Sequence, residues 1–142
     1  MNKGITVATP DRERLLDPGP ALEYADWLLR QADPSTTGMW ARTAARLMRL
    51  ALERAADRHW YQARPELLEC NTTMRMLMLA TALGRGAARD AFVLWSRLSD
   101  ATHPHPYELA PTAAELRRWH SEVAQFVGQL TAVDGFSAGR AE

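Results

Sequence analysis

Two residues near position 100 have side chains suited to proton transfer beside a phosphate group. Arg97 and His103 are separated by the five residues from Leu98 to Thr102. An imidazole with its ordinary pKa near about 6.5 can accept or release a proton at neutral pH. A guanidinium stays charged and offers two parallel donors to phosphate oxygens. The pair therefore has the two chemical functions that phosphodiester cleavage requires.

A metal site is the rival interpretation of the same segment. His103 and His105 flank one residue, so an extended chain places both imidazoles on one side, and Glu108 or His120 could supply a third ligand. Prolines surround His105, however, and the spacing matches no established ligand pattern. Cys70 is the only cysteine, which excludes a cysteine-built zinc site. The sequence predicts no metal and no cofactor, and His120, on an apolar stripe, is predicted to be a hydrogen-bonded core histidine.

Further basic and aromatic residues could bind an RNA strand around this pair. Three arginines repeat at helical spacing, two lie side by side later in the chain, and a histidine and a tyrosine follow His103. The candidate RNA-binding residues are Arg42, Arg46, Arg49, His105, Tyr107, Arg117 and Arg118. The alternative for the first three is a solvated helix face, because Glu53 and Asp57 follow Arg49 at spacings of four residues.

The elements that position these residues are predicted to be helices. No segment alternates polar and apolar residues, and Ala, Leu, Met, Arg and Glu dominate the chain. Helices are predicted over about 20–32, 37–62, 72–83 and 87–102, with a last one opening at a capping box at Thr112 and Glu115. Arg97 falls on the flank of the apolar face of the fourth helix, which Pro104 ends. The predicted fold class is an all-α bundle of four to five helices.

Composition limits the class of protein. The 17 basic and 17 acidic residues cancel, so a site for a polyanion must be local. No apolar run is long enough for a membrane span, and one cysteine fits a reducing cytoplasm. We expect a cytoplasmic protein with one domain over residues 20–133, a flexible N-terminal arm over 1–19 and a flexible C-terminal tail over 134–142.

This chain resembles the HEPN family of small helical bundles. The resemblance lies in an arginine, five further residues and a histidine near the end of a late helix. The resemblance covers roughly residues 20–132 by architecture, and its motif rests on Arg97 and His103. It implies a metal-independent endoribonuclease or toxin-like effector that works as a homodimer, with the two pairs facing each other across the interface. His103 would then be the general acid–base for the 2′-hydroxyl or the leaving group, and Arg97 would hold the scissile phosphate.

One position departs from the family pattern. Active members usually have a polar residue directly after the arginine, where this chain has Leu98. The alternative is therefore a catalytically silent HEPN-like module that dimerises or binds a partner protein or nucleotide, for example in a defence or toxin–antitoxin system. In that case Arg97 would pair with Asp90 or Asp100 on the helix surface.

Overall fold

The structure, a computed structural model, describes residues 9–31, 39–103 and 109–140 and contains no strand in these ranges. The helices are α1 (Thr9–Leu15), α2 (Gly19–Arg30), α3 (Met39–Ala63), α4 (Thr72–Met78), α5 (Ala80–Leu83), α6 (Arg85–Ala101) and α7 (Ala113–Arg140), with a 3₁₀ turn at Pro65–Glu69. Five units pack as a bundle: α2, α3, α4 together with α5, α6 and α7. The predicted all-α bundle is thus confirmed over the described residues.

Helix α3 is the centre of the bundle and packs against α2, α4, α6 and α7. Its buried face is built mainly from short side chains, which allow neighbouring helices to approach closely. The buried residues of this face include Ala41, Ala44, Ala45, Met48, Ala51, Leu52, Ala55 and Ala56. Trp60 closes the face at its far end and donates its indole N–H to the carbonyl of Arg75 at 3.0 Å.

Hydrogen bonds between α3 and α6 show that these helices are antiparallel. Arg49 on α3 donates to the hydroxyl of Thr102, which follows the last residue of α6. One turn later on α3, Glu53 accepts from the indole of Trp95, about two turns earlier on α6. The end of α6 therefore lies beside the middle of α3, and the beginning of α3 extends beyond it.

Contacts of α7 complete the arrangement. Near the start of α7, Arg117 donates to the carbonyl of Leu29 at the end of α2, and His120 donates to the carbonyl of Leu22, so α2 and α7 are antiparallel. Near its other end, Thr131 accepts from Arg58 late in α3. The end of α2 and the beginnings of α3 and α7 consequently lie at one end of the bundle, whereas the end of α6 lies beside the middle of α3.

Both terminal segments contain helix where the sequence predicts an arm and a tail. Helix α1 occupies part of the predicted arm, and the guanidinium of Arg12 lies 5.8 Å from the ring centre of Tyr61 on α3. Helix α7 begins, as predicted, after a cap in which Thr112 accepts from the backbone N–H of Glu115. It continues to Arg140 through Gly135 and Gly139, although glycine disfavours a helix, and Asp134 is held against α3 by a hydrogen bond.

The third predicted helix, 72–83, is divided in two by Leu79 and is less buried than its composition indicates. Met76 and Leu79 are fully buried, whereas Met74 and Leu77 are 45% and 52% exposed. Gly84 ends this segment with φ +83°, the conformation in which glycine replaces other residues at little cost. None of the helices in the described ranges has the length and apolarity needed to cross a membrane.

Candidate functional site

Arg97 lies on the flank of α6 that faces α7, as the helical period predicts. Its side chain is exposed and borders a groove of about 400 Å³ between the two helices. Among the described residues it forms no hydrogen bond or ion pair. The alternative pairing with Asp90 or Asp100 is therefore absent, and no described residue competes with an external anion for the guanidinium.

His103 follows the end of α6 by two residues. Its backbone N–H donates to the carbonyl of Asp100 at 3.2 Å, while its side chain is exposed and has no partner within the described part of the chain. Thr102, just before it, is buried and points toward α3, where it accepts from Arg49. His103 and Arg97 thus make no hydrogen bond with each other. Six positions of a helix span roughly 9 Å, so one chain does not bring the two Cα atoms together.

Arg49 has a structural role at the end of α6. Its Nη1 donates to Thr102 at 3.3 Å, and its Nε lies 3.8 Å from a carboxylate oxygen of Glu53. Arg49 and Glu53 thus form an ion pair of the kind expected for a solvated helix face. Asp57, the next carboxylate along that face, pairs with Arg75 on α4 at 2.9 Å.

Arg42 and Arg46 extend the same stripe toward the start of α3. Both side chains are exposed and lack a hydrogen bond or ion pair with any residue that the structure describes. Because α3 and α6 are antiparallel, these arginines lie beyond Thr102, on the side toward which the chain continues at His103. They are available to contact a phosphate backbone.

The adjacent arginines at the start of α7 reach the same end of the bundle. Arg117 is exposed, and its Nη2 donates to the carbonyl of Leu29 at 3.4 Å. Arg118 is exposed and has no partner in the described ranges. We call the following residues together the basic end: Arg42, Arg46, Arg49, Arg97, His103, Arg117 and Arg118.

Acidic residues lie beside the basic end. Asp26 is occupied by an ion pair with Arg30 at 2.8 Å, and Glu53 by Arg49 and Trp95. Asp100, Glu115 and Glu122 are exposed and form no ion pair with any residue that the structure describes. His105 and Tyr107, the other two candidate RNA-binding residues, lie outside the described residues, as does Glu108.

The alternative metal site includes His105 and Glu108 and so lies partly outside the described residues; within these residues, no group of three histidine, cysteine, aspartate or glutamate side chains could hold an ion. His120 is half-buried and its Nε2 donates to the carbonyl of Leu22 at 2.9 Å. The predicted hydrogen-bonded core histidine is confirmed.

Sequence reasoning missed a buried histidine at the other end of the bundle. His59, near the end of α3, is 6% exposed and donates from Nδ1 to Asp134 at 2.6 Å. The second carboxylate oxygen of Asp134 is buried without a partner, and the His59 ring meets Trp60 edge-on. The available signal was the spacing of His59 from Leu52 and Ala55, which places it on the buried stripe of α3.

Comparison with known proteins adds no identification, because no family model, curated protein or solved structure matches this chain.

Proposed function

We propose that this chain is a metal-independent, HEPN-type endoribonuclease or toxin-like effector that acts on RNA as a homodimer. The observation that supports the proposal most strongly is the basic end itself. Helices α3, α6 and α7 each contribute exposed arginines, and the side chains of Arg97 and His103 are exposed and without a partner in the described ranges. A phosphate strand that crosses this end would meet cations from α3, α6 and α7.

In the proposed reaction the 2′-hydroxyl of RNA attacks the adjacent phosphorus and the bond to the 5′ oxygen breaks. The products are a 2′,3′-cyclic phosphate and a 5′-hydroxyl. His103 removes the proton of the attacking hydroxyl or delivers one to the leaving oxygen, and Arg97 stabilises the charge on the non-bridging oxygens. In the proposed dimer, a second copy contributes to the site because His103 and Arg97 of one chain are not in contact.

The test is cleavage of a labelled RNA by His103→Ala and Arg97→Ala. Each should lower the rate by about a hundredfold or more, the scale for a lost acid–base or charge-stabilising group. Both side chains are exposed and without partners in the described ranges, so the melting temperature should stay unchanged. Cleavage should survive EDTA and leave 2′,3′-cyclic phosphate ends.

His105→Ala is the matched control. A metal site formed by His103 and His105 would lose activity equally in both variants and would be sensitive to EDTA. Sedimentation should show a dimer at tens of micromolar, an ordinary range for protein association. Failure of the purified protein to cut any RNA, or full activity of both alanine variants, would overturn the ribonuclease proposal.

A second candidate function is a catalytically silent interaction module. It is favoured by an aromatic pair on the outer face of α2, where Tyr24 and Trp27 are 54% and 52% exposed with ring centres 5.7 Å apart. Exposed aromatic residues of this kind are enriched at protein interfaces. Binding of a partner that is lost in Trp27→Ala and retained in His103→Ala would favour this module over the nuclease.

A further inference from the structure

The groove between α6 and α7 has the size and lining of a subsite for one nucleotide. Its volume of about 400 Å³ lies in the range of small-molecule pockets. Val93, which is 39% exposed, and the largely buried Phe126 supply apolar surface against which a planar ring can pack. The polar residues of the lining are Asp90 and Arg97 from α6 and Glu122, Gln125 and Gln129 from α7.

The polar side chains of the groove have unused hydrogen-bonding capacity. Asp90, Glu122, Gln125 and Gln129 are exposed, and none forms a hydrogen bond or ion pair with a residue in the described ranges. Arg97 is the only cation among the described residues of the lining. Of these residues it is therefore the one that can attract a phosphate.

The carboxylates determine which chemical group fits the rest of the groove. An ionised carboxylate only accepts hydrogen bonds, so Asp90 and Glu122 require a ligand that donates them. Adenine, cytosine and guanine carry an exocyclic amino group, whereas uracil has none. The side-chain amides of Gln125 and Gln129 can pair with either hydrogen-bond donors or acceptors on the polar edge of the base.

The spacing along α6 matches a nucleotide. Asp90 and Arg97 are seven residues apart on one face, which corresponds to roughly 10 Å along the helix axis. That length is comparable with the reach from a phosphate to the polar edge of its base. A nucleotide with its phosphate at Arg97 would thus present its base edge near Asp90 and Gln129.

We propose that this groove is a base-recognition subsite that selects nucleotides with an amino-bearing base over uridine. The proposal rests on the proposed function, since it assigns Arg97 to the phosphate next to the selected base. Asp90 accepts from the amino group, Gln125 and Gln129 complete the polar edge, and Val93 packs against the ring.

The experiment measures calorimetric binding of AMP, CMP, GMP and UMP to the full chain. At least one amino-bearing nucleotide should bind about tenfold more tightly than UMP, the discrimination expected for one good paired contact. Asp90→Asn should reduce that ratio several-fold. Glu115→Gln is the control, because it removes a carboxylate near the start of the same α7 helix but outside the groove and should leave the ratio unchanged.

The outcomes separate this inference from the ribonuclease proposal. If the protein binds nucleotides selectively but cuts no RNA, the subsite is supported and the ribonuclease proposal is overturned. If the protein cuts RNA but binds all four nucleotides with equal affinity, the subsite alone is overturned. The same holds if Asp90→Asn leaves the ratio of the affinities for the amino-bearing nucleotide and UMP unchanged. A groove covered by a second copy would also overturn it: no nucleotide would bind, and Val93→Arg would convert a sedimenting dimer into a monomer.

Discussion

The two ends of the bundle use the same residue types in opposite ways. At the end where α3 finishes, His59 is buried against Asp134, and the pair links α3 to α7. At the basic end, His103 and Arg97 are exposed and without partners among the described residues. The two histidines therefore cannot be assigned a role from their residue type alone.

The comparison teaches that partnering, not composition, separates structural cations from those available to a ligand. Arg75 is committed to an ion pair with Asp57 at 2.9 Å, and both side chains are largely buried. Arg42 and Arg46 are exposed and unpaired in the described ranges. A desolvated pair stabilises the fold only while both partners remain, whereas an exposed cation can be removed with little effect on stability.

The largest stability difference between the ends should come from the two histidines. His59→Ala creates a cavity and leaves both oxygens of Asp134 without a partner, so we expect a loss of about 3 kcal/mol in the free energy of unfolding. His103→Ala should change it by less than about 0.5 kcal/mol. Urea unfolding of both variants measures the difference. Equal losses would mean that the two ends do not differ as the structure indicates.

The next largest effect concerns the arginines. Arg75→Met leaves the Asp57 carboxylate largely buried without its ion-pair partner and should cost about 2 kcal/mol. Arg97→Met, at an exposed position without a partner in the described ranges, should cost less than about 0.5 kcal/mol. Addition of Asp57→Asn to Arg75→Met should restore part of the loss. If the double variant is as unstable as the sum of the single variants, the two residues are not coupled.

The Asp57 pair also predicts a distinctive pH dependence. Burial raises the pKa of the Asp57 carboxyl more than the nearby Arg75 lowers it. The stability contribution of this group is therefore fully present below its unfolded pKa and is lost as pH rises through its raised folded pKa. As pH rises from the unfolded pKa of Asp57 through its raised folded pKa, Asp57→Asn should become more stable relative to the parent.

Glu66 supplies a control of opposite sign. A hydrogen bond from its own backbone N–H and another from Arg64 lower the pKa of the exposed Glu66 carboxyl. Its contribution is present above its unfolded pKa and is lost as pH falls through the lowered folded pKa. Glu66→Gln should therefore gain stability relative to the parent as pH falls. Urea unfolding at several acidic pH values tests both signs, and parallel curves for the two variants would contradict them.

The smallest effects should appear in RNA affinity. Arg42→Ala and Arg46→Ala should each weaken binding of a single-stranded RNA several-fold. Each should also make the slope of log affinity against log salt concentration shallower by about 0.7, the value for one lost phosphate contact. Arg49→Ala should change the salt dependence less, because Thr102 and Glu53 already engage its guanidinium. Arg58→Ala, at the other end of the bundle, is the control. If Arg58→Ala loses as much RNA affinity as Arg46→Ala, the basic end is not the RNA-binding surface.

The sequence by itself determined the helices and much of their chemistry, since helical period and capping are properties of neighbouring residues. It predicts a helix over 87–102 where the structure has Arg85–Ala101, and it predicts the cap at Thr112 and the core role of His120. Arg97 is likewise on the predicted flank of its helix. These features depend on residues within a few turns of one another.

Only the tertiary structure decided which of these residues share one end of the molecule. The basic end joins residues from three helices through their relative directions, and no local pattern specifies those directions. The His59–Asp134 hydrogen bond spans 75 positions of sequence and joins α3 to α7. The physical reason is that helix directions and buried polar pairs follow from packing around α3, which sums contacts between residues distant in the chain.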